Sequence, residues 1–371
     1  MHALALYAGP AARHHIQQHG LAPDHVGVIP AAAGGPKGLI LGPLDRFIFG
    51  DWLARGSQPV DLVGASIGAW RMATGCMADP VAAFHALETG YIHGEMKAPP
   101  GRKLPLPSQV SATFAQNLRA MFEGHVPAIL AHPRYRLHVL ASRGRHVLAR
   151  EGPARTAAGY LGAALTNAAS RRAMGAWIER VVFSGLSGEG EGGPSPLPFA
   201  THDYRTRQLV LTAQNFYPVL QASGSIPFVL QAVHDIPGAP RGAYWDGGIT
   251  DYHLHLDYAL GRRGDAGSGE VGRLVLYPHF QQNVVPGWLD KPWKRRHGAT
   301  PFLDYMLVLA PNPDWVRALP GGKLPDRNDF KTLDHAARVR AWTAAVQAAQ
   351  QLADEFQAWL AQPDPARVRP L

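Results

Sequence analysis

Two apolar runs, residues 25–33 (HVGVIPAAA) and 60–65 (VDLVGA), constrain this chain more than any other feature in it. Each runs straight into a glycine-containing turn. Between them Leu41, Leu44, Phe47, Ile48 and Trp52 recur at helical spacing, and Pro59 stands just before the second run. Short continuous apolar runs bounded by turn signals read as buried strands, and the 3.6-residue period between them reads as a helix. Together they form a βαβ unit, and a second helix of small residues is expected to begin near Ile67.

The alternation continues along the chain. Further strands are expected at residues 135–141, 181–184, 208–212 and 274–278. Residues 80–134 alternate helical patches with Pro- and Gly-containing breaks and read as a helical cap or insertion. Residues 187–198 (SGEGEGGPSPLP) are too rich in Gly, Pro and Glu to pack and read as a mobile surface loop. Residues 300–362 read as an amphipathic helical region. In it, Leu333, Ala336, Val339, Trp342, Val346, Ala349, Leu352, Phe356 and Leu360 predict one long helix over 332–360. With 46% hydrophobic residues, 40 glycines and 32 prolines, the expected architecture is a single α/β domain over residues 1–371, with its core motifs in 25–280.

The formal net charge of +8 selects no partner, because Lys and Arg are scattered without long blocks. One basic stretch mixes with aromatics: Trp288, Lys291, Trp293, Lys294, Arg295, Arg296 and His297. It reads either as an interfacial foot on an anionic membrane surface or as a plain solvated loop. Nucleic acid is not an expected partner, since no zinc-finger spacing or aromatic RNA-binding motif accompanies the charge. The single cysteine, Cys76, excludes an internal disulfide framework and reads as a small buried apolar residue. The apolar patch at residues 3–8 has no basic residue before it and does not read as a signal peptide. No run approaches the length of a spanning helix, so the expected location is cytoplasmic, at most peripheral to a membrane. Oligomeric state is left open.

Three short motifs carry chemistry. Gly64-Ala65-Ser66-Ile67-Gly68 is a G-x-S-x-G placed between an expected strand and an expected helix, where a nucleophile elbow lifts its serine on a sharp turn. A simple tight turn is the bland alternative. The loop Gly34-Gly35-Pro36-Lys37-Gly38 offers successive backbone N–H groups at the mouth of a helix, and it reads as an oxyanion hole or as a flexible strand-to-helix turn. A phosphate loop is excluded by the missing G-K-[ST] ending, since Gly38 and Leu39 follow Lys37. Asp246-Gly247-Gly248 is by itself a turn signal, but a carboxylate beside a serine can serve as its base if desolvation raises its proton affinity.

In this order the three motifs resemble the patatin-like phospholipase family. The family's glycine-rich loop matches residues 33–38, with Ala33 at its first glycine. Its G-x-S-x-G matches Gly64 to Gly68, and its D-G-[GA] matches Asp246 to Gly248. Ala222-Ser223-Gly224-Ser225-Ile226-Pro227 resembles the A-S-x-A-x-P segment that precedes the family's aspartate, with Ser225 at an alanine position. The resemblance implies a three-layer α/β/α fold with a central, mostly parallel sheet, and a Ser66/Asp246 dyad that cleaves carboxylic esters of lipids through an acyl-enzyme, without cofactor or metal. Gly34, Gly35 and their neighbours would hold the oxyanion, and Gly64, Gly68, Gly247 and Gly248 would support the turns. The acyl chain would lie in an apolar channel between the sheet and the cap near residues 80–130. Asp251 stands where the family commonly has asparagine.

Three rivals stand beside this reading. A Ser-His-Asp triad would use His279, which follows the expected strand at 274–278. A metal site would use Asp251, His253, His255 and Asp257 on one face of a strand, though a solvated polar face opposite Tyr252, Leu254, Leu256 and Tyr258 explains the same alternation. A membrane- or protein-binding module with a vestigial dyad is the third.

Overall fold

A computed structural model describes residues 2–95, 99–100, 105–187, 192–258 and 273–371. The chain is α/β. Eleven strands among the described residues join one sheet: β1 (Leu4–Ala8), β2 (Val26–Ala31), β3 (Val60–Ala65), β4 (Tyr135–Gly144), β5 (Ile178–Ser184), β6 (Thr206–Val210), β7 (Val233–His234), β8 (Ala243–Asp246), β9 (Leu274–Pro278), β10 (Met306–Pro311) and β11 (Val368–Pro370). Nine of them run in the order β11-β1-β10-β9-β2-β3-β4-β5-β6, while β8 pairs with β4 and β7. Most pairings are parallel, and the arrangement is compatible with a three-layer α/β/α fold.

Strands β2, β3 and β9 are buried at every position, as parallel strands covered on both faces must be. The βαβ unit forms as expected, except that its connection is a composite of a 3-10 segment (Gly35–Leu41), a helix (Gly42–Phe47) and a π turn (Ile48–Trp52). In the cap region, helices Pro80–His93, Pro107–Phe122 and Val126–Leu130 connect β3 to the parallel strand β4. Cys76 is buried, and burial pushes its thiol pKa up.

Strand β4 fixes the functional end of the sheet. On one side it pairs with β5 from His138 to Gly144. On the other it pairs first with β3, ending at Ala65↔Leu140, and then with β8, ending at Ala141↔Asp246. Strands β3 and β8 therefore lie end to end along one edge of β4.

The structure adds one strand that the sequence reading did not name and corrects three expectations. The apolar patch at residues 3–8 is β1, inserted between β10 and β11. The 300–362 region is not wholly helical: MLVLAP at Met306–Pro311 is a fully buried strand, because a short apolar run carries no periodicity to separate helix from strand. The long helix expected over 332–360 is two helices, His335–Ala348 and Gln350–Ala361, since the Leu352 N–H closes a tight three-residue turn onto Ala349 O. Residues 188–191 of the expected 187–198 loop lie outside the described residues, but Ser195 beyond them is buried and donates to Gly185 O at 2.9 Å.

Among the described residues no helix is long and apolar enough to cross a membrane.

Candidate active site

Strand β3 delivers Ser66 onto a turn in which its backbone has φ 57° and ψ −129°, a conformation few residues with a side chain adopt. The helix Ile67–Gly75 follows at once. The flanking glycines are required by contact. A Cβ on Gly68 would lie 1.9 Å from Ala31 O, and one on Gly64 would lie 2.5 Å from Ala69 Cα. The elbow is thus wedged between β2 and the first turn of its own helix.

The Ser66 Oγ donates to Asp246 Oδ2 at 2.7 Å across 180 residues of sequence. Asp246 Oδ1 accepts the Gly248 N–H at 2.7 Å, so the Asp-Gly-Gly turn holds its own carboxylate. Both side chains are buried. Burial raises the Asp246 pKa above the ordinary carboxylate value, while Arg327, the Ser66 and Gly248 hydrogen bonds and Lys291 pull it back. Gly247 packs beneath the aspartate against Leu140, and Gly248 packs against Ala33.

The 222–227 segment ties the two halves together. Ser223 Oγ accepts the Ser66 N–H at 2.9 Å and donates to Leu140 O at 2.6 Å. Ser225 O accepts the Asp246 N–H at 2.9 Å. Ile226 and Pro227 line the cleft beside Asp246.

The Gly34–Gly38 loop enters the site from β2. Gly34 lies under the Phe280 ring, Gly35 has φ 58°, and Pro36 opens the 3-10 segment. Gly38 packs on Ile67 and Arg71, which seats the loop beside the elbow. The Gly34 N–H makes no hydrogen bond among the described residues. Lys37 is half-buried with its Nζ 5.4 Å from the Phe280 ring centroid, and burial lowers its pKa.

Two clefts flank the elbow. One is lined by Ala33, Ile226, Pro227, Asp246, Tyr252, Trp288 and Arg327. The other lies against the cap helix Pro80–His93 and is lined by Leu39, Ile67, Phe84, Leu87 and Tyr91 together with Glu88 and the buried Arg71–Asp45 pair.

Comparison with protein-family models and with curated proteins finds no match for this chain. The site stands on its geometry.

That geometry separates His279 from the dyad. Its ring is fully buried among Tyr277, His253 and Phe280, its Nδ1 meets Gln281 O, and burial lowers its pKa to about 3. It makes no hydrogen bond to Ser66 or Asp246, so the expected triad geometry is absent. Both readings of the 251–258 alternation are also corrected, because the segment is not a strand and both sets of side chains are buried. The four polar groups go to different partners. Asp251 binds Arg180 at 2.6 Å and 2.7 Å, His253 meets Asn283 O, His255 bridges Val284 O and Thr300, and Asp257 lies near His202. For Arg180, burial alone would lower the pKa, but the Asp251 and Asp203 carboxylates override it and raise the pKa above the ordinary value.

The basic aromatic stretch is more than a solvated loop. Asp290 is fully buried and anchors it to Asn167 (2.8 Å), Arg296 (2.7 Å) and Arg171 (3.3 Å), while Trp288 reaches the cleft. Two cations at the site were not read from the sequence as site residues: Lys291, noted only in the basic aromatic stretch and here 4.0 Å from the Tyr252 ring centroid, and Arg327, which lies over Gly35. Neither belongs to one of the three chemistry-bearing motifs. Only the tertiary fold brings residues from 291 and 327 to residue 246.

Proposed function

We propose that this protein is a serine acyl hydrolase of patatin-like type, acting on carboxylic esters of lipids or small alcohols. The observation that carries the reading is the 2.7 Å hydrogen bond from Ser66 Oγ to a buried carboxylate with raised pKa, at a strained strand-to-helix turn. Ser66 Oγ attacks the ester carbonyl carbon and its proton passes to Asp246. The tetrahedral oxyanion is held by N–H donors of the Gly34–Gly38 loop, each worth several kcal/mol when fixed before reaction (about 3 kcal/mol). Collapse expels the alcohol, which takes the proton from Asp246. Water then adds to the acyl-enzyme and gives its proton to Asp246. The carboxylic acid departs as Ser66 recovers its hydrogen. The cleft against the cap helix, with Leu39, Ile67, Phe84 and Leu87, offers the apolar wall for an acyl chain.

The test is labelling with a fluorophosphonate, which traps activated serines, followed by peptide mass spectrometry. Wild type and His279→Ala should both label at Ser66, while Asp246→Asn should label far more slowly. Equal labelling of wild type and Asp246→Asn would sink the dyad, and a folded His279→Ala that fails to label would restore the triad.

A further inference from the structure

Arg327 lines the cleft beside Asp246, Lys291 and Lys37 stand near it over the Tyr252 and Phe280 rings, and none of the three has a carboxylate partner within ion-pair distance among the described residues. Arg327 lines the cleft, with its Nε 3.1 Å from the position a Cβ on Gly35 would occupy. Lys291 stands over Tyr252 on the wall formed with Trp288. Lys37 rises from the glycine-rich loop. Most other arginines near carboxylates are paired: Arg46 with Glu88, Arg71 with Asp45, Arg136 with Asp61, and Arg180 with Asp203 and Asp251. The carboxylates beside Arg327 in sequence are already engaged, since Lys323 lies 2.9 Å from Asp326 and 2.5 Å from Asp329, and Asp329 also accepts from Trp342.

The three cations feel one another. Partial desolvation of the Lys291 side chain against Tyr252 and Trp288, then Arg327 and Lys37, push its pKa down to about 8, although the residue stays solvent-exposed. Like charges gathered beside one base repel one another and shift each other's proton affinity. Arg327 and Lys291 lower the proton affinity of Asp246, which is the opposite of what a general base needs. A bound anion would neutralise the cluster, relieve the repulsion and leave burial to raise the base's proton affinity. The planar guanidinium of Arg327 suits an oxyanion with two acceptor oxygens, and the two ammonium groups add point charges. The apolar remainder of the cleft, Ile226, Pro227 and Trp288, would cover a short carbon skeleton.

We infer that this cleft binds a carboxylate or phosphate group carried by the substrate close to its scissile ester, with Arg327 as the principal anion-recognition residue and Lys291 and Lys37 beside it. The inference rests on the acyl-hydrolase reading given above, and the shared chemistry is an oxyanion near a carboxylic ester, from either a dicarboxylic half-ester or a glycerophosphate ester.

Two substrate pairs, measured at constant ionic strength, test it: 4-nitrophenyl hydrogen glutarate against 4-nitrophenyl valerate, and 1-butyrylglycerol 3-phosphate against 1-butyrylglycerol. The anionic member of at least one pair should have the higher kcat/KM by about 10-fold to 100-fold. The pair that shows the preference identifies the source of the anion. Arg327→Ala should bring that ratio towards one, Arg327→Lys should restore part of it, and Arg340→Ala, which removes an exposed charge elsewhere, should leave it as in wild type. Hydrolysis of both members at similar kcat/KM in wild type, or a ratio indifferent to Arg327→Ala, overturns the inference and leaves the hydrolase reading intact. If no ester turns over, calorimetry of monomethyl glutarate and glycerol 3-phosphate with wild type and Arg327→Ala decides. Binding that disappears in Arg327→Ala keeps the anion site and removes the hydrolase reading; no binding overturns the anion site.

Discussion

Ser223 holds Ser66 from behind: its Oγ takes the Ser66 N–H at 2.9 Å and gives its own proton to Leu140 O at 2.6 Å. One hydroxyl thereby connects the elbow backbone to β4. Ser223→Ala leaves a buried donor and a buried acceptor unmatched, which costs about 1–3 kcal/mol. Urea unfolding should show that loss. Ester turnover should fall on the order of 10-fold to 100-fold through misplacement of Ser66, with Ser66 itself unchanged.

Asp246→Asn should lower kcat by about 10²- to 10⁴-fold, the scale of a lost general base. Its stability should move the other way. A carboxyl whose folded-state pKa is raised favours folding when protonated. That contribution is fully present below the unfolded pKa and is lost as pH rises through the folded pKa. Above the folded pKa, the wild type carries a buried carboxylate that asparagine lacks. Thermal melts at pH 8 should therefore find Asp246→Asn at least as stable as wild type, with the margin shrinking in acid.

If Asp246 is the base proposed above, the same raised pKa sets the acid limb of ester hydrolysis. Asp246 accepts a proton only when ionised, so kcat/KM should fall as pH drops through its pKa, at a pH above the ordinary carboxylate range near 4. An acid limb at or below that range, measured on a neutral ester, would contradict the burial argument.

Gly68→Ala places a methyl 1.9 Å from Ala31 O, a clash with backbone that side-chain rotation cannot relieve. The expected loss is about 3 kcal/mol or more, or failure to fold. Gly90→Ala is the contrast. It lies in the Pro80–His93 helix with nothing within 4 Å of the new methyl, and should gain about 0.5–1 kcal/mol. Parallel chemical denaturation of the two variants compares them directly.

Asp251→Asn removes the carboxylate that lies 2.6 Å from the fully buried Arg180 and 3.0 Å from Arg171. Breaking a buried pair from one side costs about 3–5 kcal/mol, and Asp203 remains to soften it here. The variant should unfold at lower denaturant. Because Asp251 lies four residues beyond Gly247, it should also raise protease sensitivity in the 247–258 segment.

The sequence revealed most where residues carry local signals. The runs at 60–65 and 274–278 became strands with those same bounds, because a glycine or proline turn closes each. The elbow was legible because its backbone demands glycine at both flanks. Strand β10 was illegible because six consecutive apolar residues have no period, and β1 was overlooked because its partners lie 300 residues away. His279 drew attention through its place after a strand, but sequence position does not say which way a ring turns, and this one turns into the core. Arg327 had no motif to announce it, Lys291 was noticed only as part of a basic aromatic stretch with nothing to tie it to the aspartate, and Asp251 looked like a departure until Arg180 supplied its partner.

The abutment of β3 and β8 along β4 makes the alignment of Ser66 with Asp246 a matter of counting. A strand can shift along its neighbour only by whole residues, and a single step turns every side chain to the opposite face. The gap between the two side chains cannot be tuned by small slides; it is either in step or out of it. If the proposed dyad is the catalyst, active molecules in a partly refolded sample should number the same as molecules whose β8 has docked in register, and ester hydrolysis would read out one strand's pairing directly.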